Sequence, residues 1–250
     1  MTKAESPTPN RRRPVIAIDG PAGVGKSTVG KLVAQELGFH FVNSGEMYRA
    51  LAWKAIEDGV PRGDADALEA LARRIRWEFK PDGATLRTFV DGTLVGGQIR
   101  SEEVSKASSL VAAAPGVRRY FRHVQRELGE QGGIVMEGRD ITTNVFPDAE
   151  FKFYLDATAE ERARRRYKQL KASGAAADHD AILDAIRRRD TQDSERKINP
   201  LRRAPDAVVI DSTRLTLHEV ADAILKHVGE RWAVGGNRTE PRSPLTDHRR

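Results

Sequence analysis

The chain has 250 residues, 39% hydrophobic and 31% charged, with no cysteine and a formal net charge of +6. That length holds one substantial core, and the absence of cysteine excludes a disulfide framework and thiolate metal sites. No apolar run reaches the ~18 residues of a membrane span or follows the start as a signal peptide does, so a cytoplasmic chain with no membrane partner is expected. The charge sits at the ends: residues 1–13 carry +3 and residues 233–250 carry +2, leaving +1 for the body. Basic ends containing Pro, Ser and Gly around a nearly neutral body read as disordered tails (1–13 and 233–250) flanking one domain over 14–232, with no nucleic-acid face.

In chain order, residues 15–18 (VIAI) form a β-branched run without alternation, which predicts a strand buried on both faces of a parallel sheet. Apolar residues at Val29, Leu32, Val33 and Leu37 predict a helix from Ser27 that stops at Gly38. Short apolar runs recur at Phe39–Val42, Ile134–Met136, Phe151–Leu155 and Ala207–Ile210, separated by helical patterns, so an α/β fold around a parallel sheet is expected. Between Arg76 and Val95, turn signals at Pro81-Asp82-Gly83 and Asp91-Gly92 predict an antiparallel hairpin insert. Helices over 102–113 and 117–129 follow, and with the hairpin they predict a small lobe facing the main sheet.

The segment Gly20-Pro21-Ala22-Gly23-Val24-Gly25-Lys26-Ser27, followed by Thr28, matches G-x-x-x-x-G-K-[ST] between a buried strand and a helix. Its glycines let successive N–H groups turn toward an anion, and the helix start adds a positive dipole end. Lys26 is placed to reach β- and γ-phosphates and Ser27 to ligate Mg²⁺. The loop alone leaves kinase, GTPase and motor ATPase open, but no N-K-x-D guanine reader and no further motor signature is present.

The acceptor side is less direct. Asn43-Ser44-Gly45-Glu46-Met47-Tyr48-Arg49 opens a helix with Ser44 as candidate cap, and Arg49 reads either as a solvated group or as a ligand at a strand's carboxyl end. The next buried strand delivers Glu137-Gly138-Arg139-Asp140 into one turn, which suggests a site or a simple loop-closing ion pair. After a Thr158-x-x-Glu161 capping box, Arg162, Arg165 and Arg166 stand at i, i+3 and i+4, either a solvated face or the arginine lid of a phosphoryl-transfer enzyme. A helix over 180–196 carries Ile182, Ile186, Arg189, Asp193 and Arg196 on one stripe, expected to run from core into a polar cleft or to form a salt-bridge ladder.

In order, IAIDGPAGVGKST, NSGEMYRAL, IRSEEVSKASSLVAAAPGVR, EGRDITTNVFPDAEFKFYLDATAEERARRR and RRRDTQDSERKINPL resemble the bacterial cytidylate kinases, from about Val15 to about Val228. The resemblance implies a P-loop NTPase fold with five parallel strands in the order 2-3-1-4-5. It also implies a nucleoside monophosphate-binding insert over about 60–130, a lid over about 158–196, MgATP as donor, CMP or dCMP as acceptor, and a monomer. By position Arg49 and Arg139 resemble the groups that hold the CMP phosphate, and Arg189, Asp193 and Arg196 those near its phosphate and ribose. Ser109, Arg118 and Asp140 resemble the base readers, Ser44 and Arg100 belong to the same acceptor set, and Lys26, Arg162, Arg165 and Arg166 are the implied catalytic groups. A carboxylate at the base accepts from the cytosine amino group and repels the uracil oxygen. Asn43 and Glu137 depart from expected aspartates, and Thr142 from an expected glycine, which predicts a loop less free to adopt positive φ. A small-metabolite kinase of the same fold and an ATP-dependent nucleic-acid module remain the competing readings.

Overall fold

The computed structural model describes residues 13–233, and the tail regions at 1–12 and 234–250 lie outside the described residues. β1 (Val15–Asp19) leads through the glycine loop into α1 (Lys26–Leu37), and β2 (His40–Asn43) into α2 (Ser44–Glu57). α3 (Ala65–Arg74) precedes the hairpin strands β3 (Trp77–Asp82) and β4 (Thr85–Val90) and the short β5 (Thr93–Leu94). α4 (Glu102–Val111) and α5 (Pro115–Gly129) return the chain to β6 (Ile134–Glu137). β7 (Phe151–Asp156), α6 (Ala159–Ala172), α7 (His179–Ser194), β8 (Val208–Asp211) and α8 (Leu217–Ala233) complete the order.

Five parallel strands stand in the order β2-β6-β1-β7-β8, or 2-3-1-4-5 when they alone are numbered. The two-residue period of β1 divides its side chains between two cores. Val15 and Ala17 join Met47, Leu51 and Phe121 beneath α2 to α5, while Ile16 and Ile18 join Val29, Val33 and Ile224 beneath α1 and α8. Registration places Ile18 of β1 and Asn43 of β2 both opposite Glu137 of β6, so these three strands end at one level. That shared edge is where the turns carrying the site converge.

Three features differ from the sequence reading. The hairpin does not stand off as a lobe: β4 pairs with β2 in parallel at Phe41 and Thr85, and the Phe41 N–H donates to Ala84 O at 2.6 Å, so the hairpin extends the main sheet. β2 would otherwise present an unpaired edge. α3 escaped the sequence reading, although Asp64 caps it by accepting from the N–H groups of Asp66 and Ala67, and Leu68, Leu71 and Ala72 bury its apolar stripe. α7 has no buried residue, so Ile182 and Ile186 lie half-buried and not in the core.

Candidate active site

The loop between β1 and α1 has a shape that glycine permits. Gly20 has φ 147°, and a Cβ there would lie 2.1 Å from the Leu155 carbonyl oxygen. Gly25 precedes α1 at φ 99°, and no side chain caps that helix, so its first N–H groups face the cleft as donors for an anion. Val24 turns inward and is buried with the α1 and α8 core, leaving its backbone to the loop. Lys26 is only 4% exposed, and its Nζ donates to the carbonyls of Gly20 and Pro21, both at 2.7 Å. Burial, and then the nearby Arg139 cation, lower its pKa to about 7.

Next to Lys26, the Ser27 Oγ donates to Glu137 Oε1 at 2.7 Å, and Asn43 Nδ2 approaches the same Oγ at 3.5 Å. The two departures from expected aspartates therefore meet at one hydroxyl. Asn43, and not Ser44, caps α2, because its Oδ1 accepts from the Glu46 N–H at 3.1 Å. Ser44 is the first helical residue, and its buried Oγ donates to the Glu137 carbonyl at 2.7 Å.

A cleft of about 720 Å³ runs from this loop past Arg49, Arg139, Arg189 and Asp193 to Arg118 and Asp140. Arg139 Nε donates to Asp193 Oδ2 at 2.8 Å, and Arg196, just past the end of α7, approaches Asp193 Oδ1 at 3.9 Å. Arg49 and Arg189 differ from these in that, among the described residues, no carboxylate lies within ion-pairing distance of either; the Nε of Arg189, like that of Arg196, is buried without a hydrogen-bond partner. Burial lowers the pKa of both, with further lowering of each from the Arg139 cation. A wall of desolvated cations without matching carboxylates is a site for an anion.

At the far end, Arg118 Nη2 pairs with Asp140 Oδ2 at 2.5 Å, both side chains being buried, and the Arg118 guanidinium lies over the Tyr48 ring. Ser109 lines the cleft near them. Behind this end, Asp19 is fully buried and accepts from the N–H groups of Ile141 (2.9 Å) and Thr142 (2.7 Å) and from Thr142 Oγ1 (2.6 Å). Burial raises the Asp19 pKa to about 6, against the lowering effect of the Thr142 hydroxyl. Thr142 is not among the positive-φ residues, so the strain expected from the missing glycine does not arise, and its hydroxyl serves as a donor.

Four expected positions lie elsewhere. Arg100 is exposed at the end of the turn before α4 and does not line the cleft. Arg162, Arg165 and Arg166 do not line it either, each being held by neighbouring acceptors. Arg162 is buried against Asp190 and the Ala22 carbonyl, Arg165 bonds Glu161 and Ser212, and the exposed Arg166 bonds Gln169 within α6. Asp19, Asp190 and Asn144 went unnoticed in the sequence. Asp19 carried a signal, a charge ending an apolar strand, and Asn144 stands four residues after Asp140; Asp190 lies one position off the Arg189–Asp193 stripe and gave none.

Strand, glycine loop, helix and an arginine-walled second pocket define a phosphate-loop phosphotransferase. The family model described as cytidylate kinase matches residues 16–230. A cytidylate kinase of Geobacillus thermodenitrificans is 49% identical over 220 residues, covering 88% of this chain and 98% of the relative. One from Pseudomonas paraeruginosa is 44% identical over 228 residues, covering 90% and 100%. The bifunctional pantoate ligase/cytidylate kinase of a Synechococcus species is 46% identical over 227 residues, and this chain spans 42% of that longer protein's length. The chain belongs to the cytidylate kinase family.

Proposed function

We propose that this chain transfers the γ-phosphoryl group of ATP to the phosphate of CMP or dCMP, giving ADP and the cytidine diphosphate, in pyrimidine nucleotide metabolism. The observation that carries this reading is the juxtaposition of the uncapped α1 terminus and Lys26 with Arg49 and Arg189, desolvated cations without matching carboxylates on the facing wall of the same cleft. The loop N–H groups and Lys26 hold the donor phosphates; Arg49, Arg139 and Arg189 hold the acceptor phosphate; Asp193 and Arg196 lie at the ribose; Ser109, Arg118 and Asp140 read the base. Positioning and charge neutralisation supply the catalysis, with no covalent intermediate on the protein.

The hard oxygen donors at Ser27 and Glu137 fit Mg²⁺, which keeps few protein ligands and several waters. Ser27 Oγ would hold the ion directly, with Glu137 and Asn43 beside it. When bound it supplies neutralisation of phosphate charge. We read the working unit as a monomer, and its small nucleotide substrates support a cytoplasmic setting without a nucleic-acid or membrane partner. Among the described residues no helix is long and apolar enough to cross a membrane. We read 60–130 as the acceptor insert and 158–196 as the lid.

The test is an acceptor panel. Purified full-length chain with MgATP is offered CMP, dCMP, UMP, AMP and non-nucleotide alcohols in a coupled ADP assay, with products identified. CMP and dCMP are expected to turn over fastest. Failure to convert any pyrimidine monophosphate overturns the proposal.

A further inference from the structure

Asp140 uses its two oxygens unequally. Oδ2 accepts from Arg118 Nη2 at 2.5 Å and from Asn144 Nδ2 at 3.0 Å, whereas among the described residues no donor is bonded to Oδ1. Asn144 stands one irregular turn later, its N–H donating to the Asp140 carbonyl at 2.9 Å. Its amide has a single sensible orientation, since Oδ1 accepts from Arg122 Nη1 at 3.2 Å and Nδ2 must then face the carboxylate. Arg126 anchors the same turn by donating to the carbonyls of Asn144 (3.0 Å) and Val145 (2.8 Å). Arg118, Arg122 and Arg126 are spaced four residues apart on α5, so one helix face grips the carboxylate directly, through the amide, and through the backbone behind it.

We propose that Asn144 is a positioning residue for base discrimination: with Arg122 behind it, it saturates Asp140 Oδ2 and leaves Oδ1 as the oxygen that accepts from the base's amino group. This rests on the reading of Asp140 as a base reader. Asn144 does not line the cleft and acts only through Asp140. A carboxylate held by Arg118 alone can swing about its Cβ–Cγ bond and carry its free oxygen out of the plane the base needs. With a second donor fixed on Oδ2, that rotation costs a charge-assisted hydrogen bond, and the acceptor geometry is set before the base arrives. Because a uracil oxygen would meet Oδ1 without a proton between them, tighter placement of Oδ1 sharpens rejection as well as acceptance.

The experiment compares kcat/KM for CMP and UMP in the full-length protein and in Asn144→Val, Asn144→Asp, Arg122→Met and Asp140→Ala, with thermal melting of each. Asn144→Val is expected to lower the CMP-to-UMP ratio about tenfold, on the scale of one hydrogen bond to a charged group. The loss should fall on KM for CMP, with kcat and KM for ATP within about twofold of the parent, a split that general loosening would not produce. Asn144→Asp, which sets a carboxylate against a carboxylate, should lose more, and Arg122→Met should lose less in the same direction. An unchanged ratio in both Asn144→Val and Arg122→Met, while Asp140→Ala abolishes discrimination, overturns the positioning role and leaves the base-reading assignment standing. An unchanged ratio in Asp140→Ala removes that assignment itself, and this inference with it.

Discussion

Arg162, in the first turn of α6, holds Asp190 of α7 at two points, Nη1 to Oδ1 at 3.0 Å and Nη2 to Oδ2 at 2.7 Å, while the same Nη1 donates to the Ala22 carbonyl at 3.1 Å. A third nitrogen, Nε, donates to Ala157 O at 3.0 Å. One buried guanidinium therefore ties the donor phosphate loop to the helix that carries Arg189 and Asp193. Asp190→Ala leaves that cation buried without its anion, at a cost of about 3 kcal/mol of folding stability. Urea unfolding measures it, and a double cycle with Arg162→Met should return a coupling of about 1 to 3 kcal/mol. Additive effects would show that the two residues do not act as a pair.

Arg189 illustrates the opposite balance. Its guanidinium is desolvated, repelled by Arg139 and bears a buried Nε without a partner, so it weakens the free protein in order to meet an anion. Arg189→Met is expected to lower kcat/KM for CMP about 100-fold, the scale of one phosphate-facing donor. Its melting temperature should equal or exceed the parent's. A fall in stability with near-normal kinetics would assign Arg189 to structure alone.

Lys26 provides a pH signature. Its pKa in the free protein is lowered to about 7 from 10.5, so at pH 8 the amine is mostly neutral. Phosphate charge beside it favours the ammonium form, and ATP binding at pH 8 should take up about one proton, falling toward zero at pH 6. Calorimetry in buffers of different ionisation enthalpy counts these protons, and Lys26→Met should abolish the uptake. The same shift gives the sign for stability: between about pH 7 and 10.5 the unfolded chain binds more protons than the folded one, so this group's contribution rises with pH. A pH-independent proton count would contradict the assignment.

Thr142 and Asp19 make a prediction about the position where the sequence reading expected a glycine. Thr142→Val keeps the shape but removes one donor from a buried carboxylate, costing about 2 kcal/mol above pH 6, where Asp19 is ionised. The raised pKa means that the folded state binds its proton more tightly, so the contribution of Asp19 falls as pH rises from about 3.8 to about 6. The cost of Thr142→Val should therefore shrink toward pH 4. Chemical denaturation at pH 4.5 and 7.5 checks it, and equal costs at both would rule out a role for the charged carboxylate.

What the chain alone determined is local. The unalternating run at Val15–Ile18, the glycines before Lys26, the Thr158 cap and the spacing of Val117, Phe121 and Val124 are settled by dihedral preferences and by neighbours within a turn, and each yields its element without reference to the rest. The fate of each arginine was not legible in that way. Arg162 and Arg189 are equally basic in the sequence, yet Asp190 neutralises the first while Arg189 keeps its charge for the cleft. Arg162 and Asp190 are 28 positions apart, and Arg139 and Asp193 54 apart. Packing of α6 and α7 beside the loop decides which charges meet, because ion pairing depends on separation and desolvation in space and not on residue type.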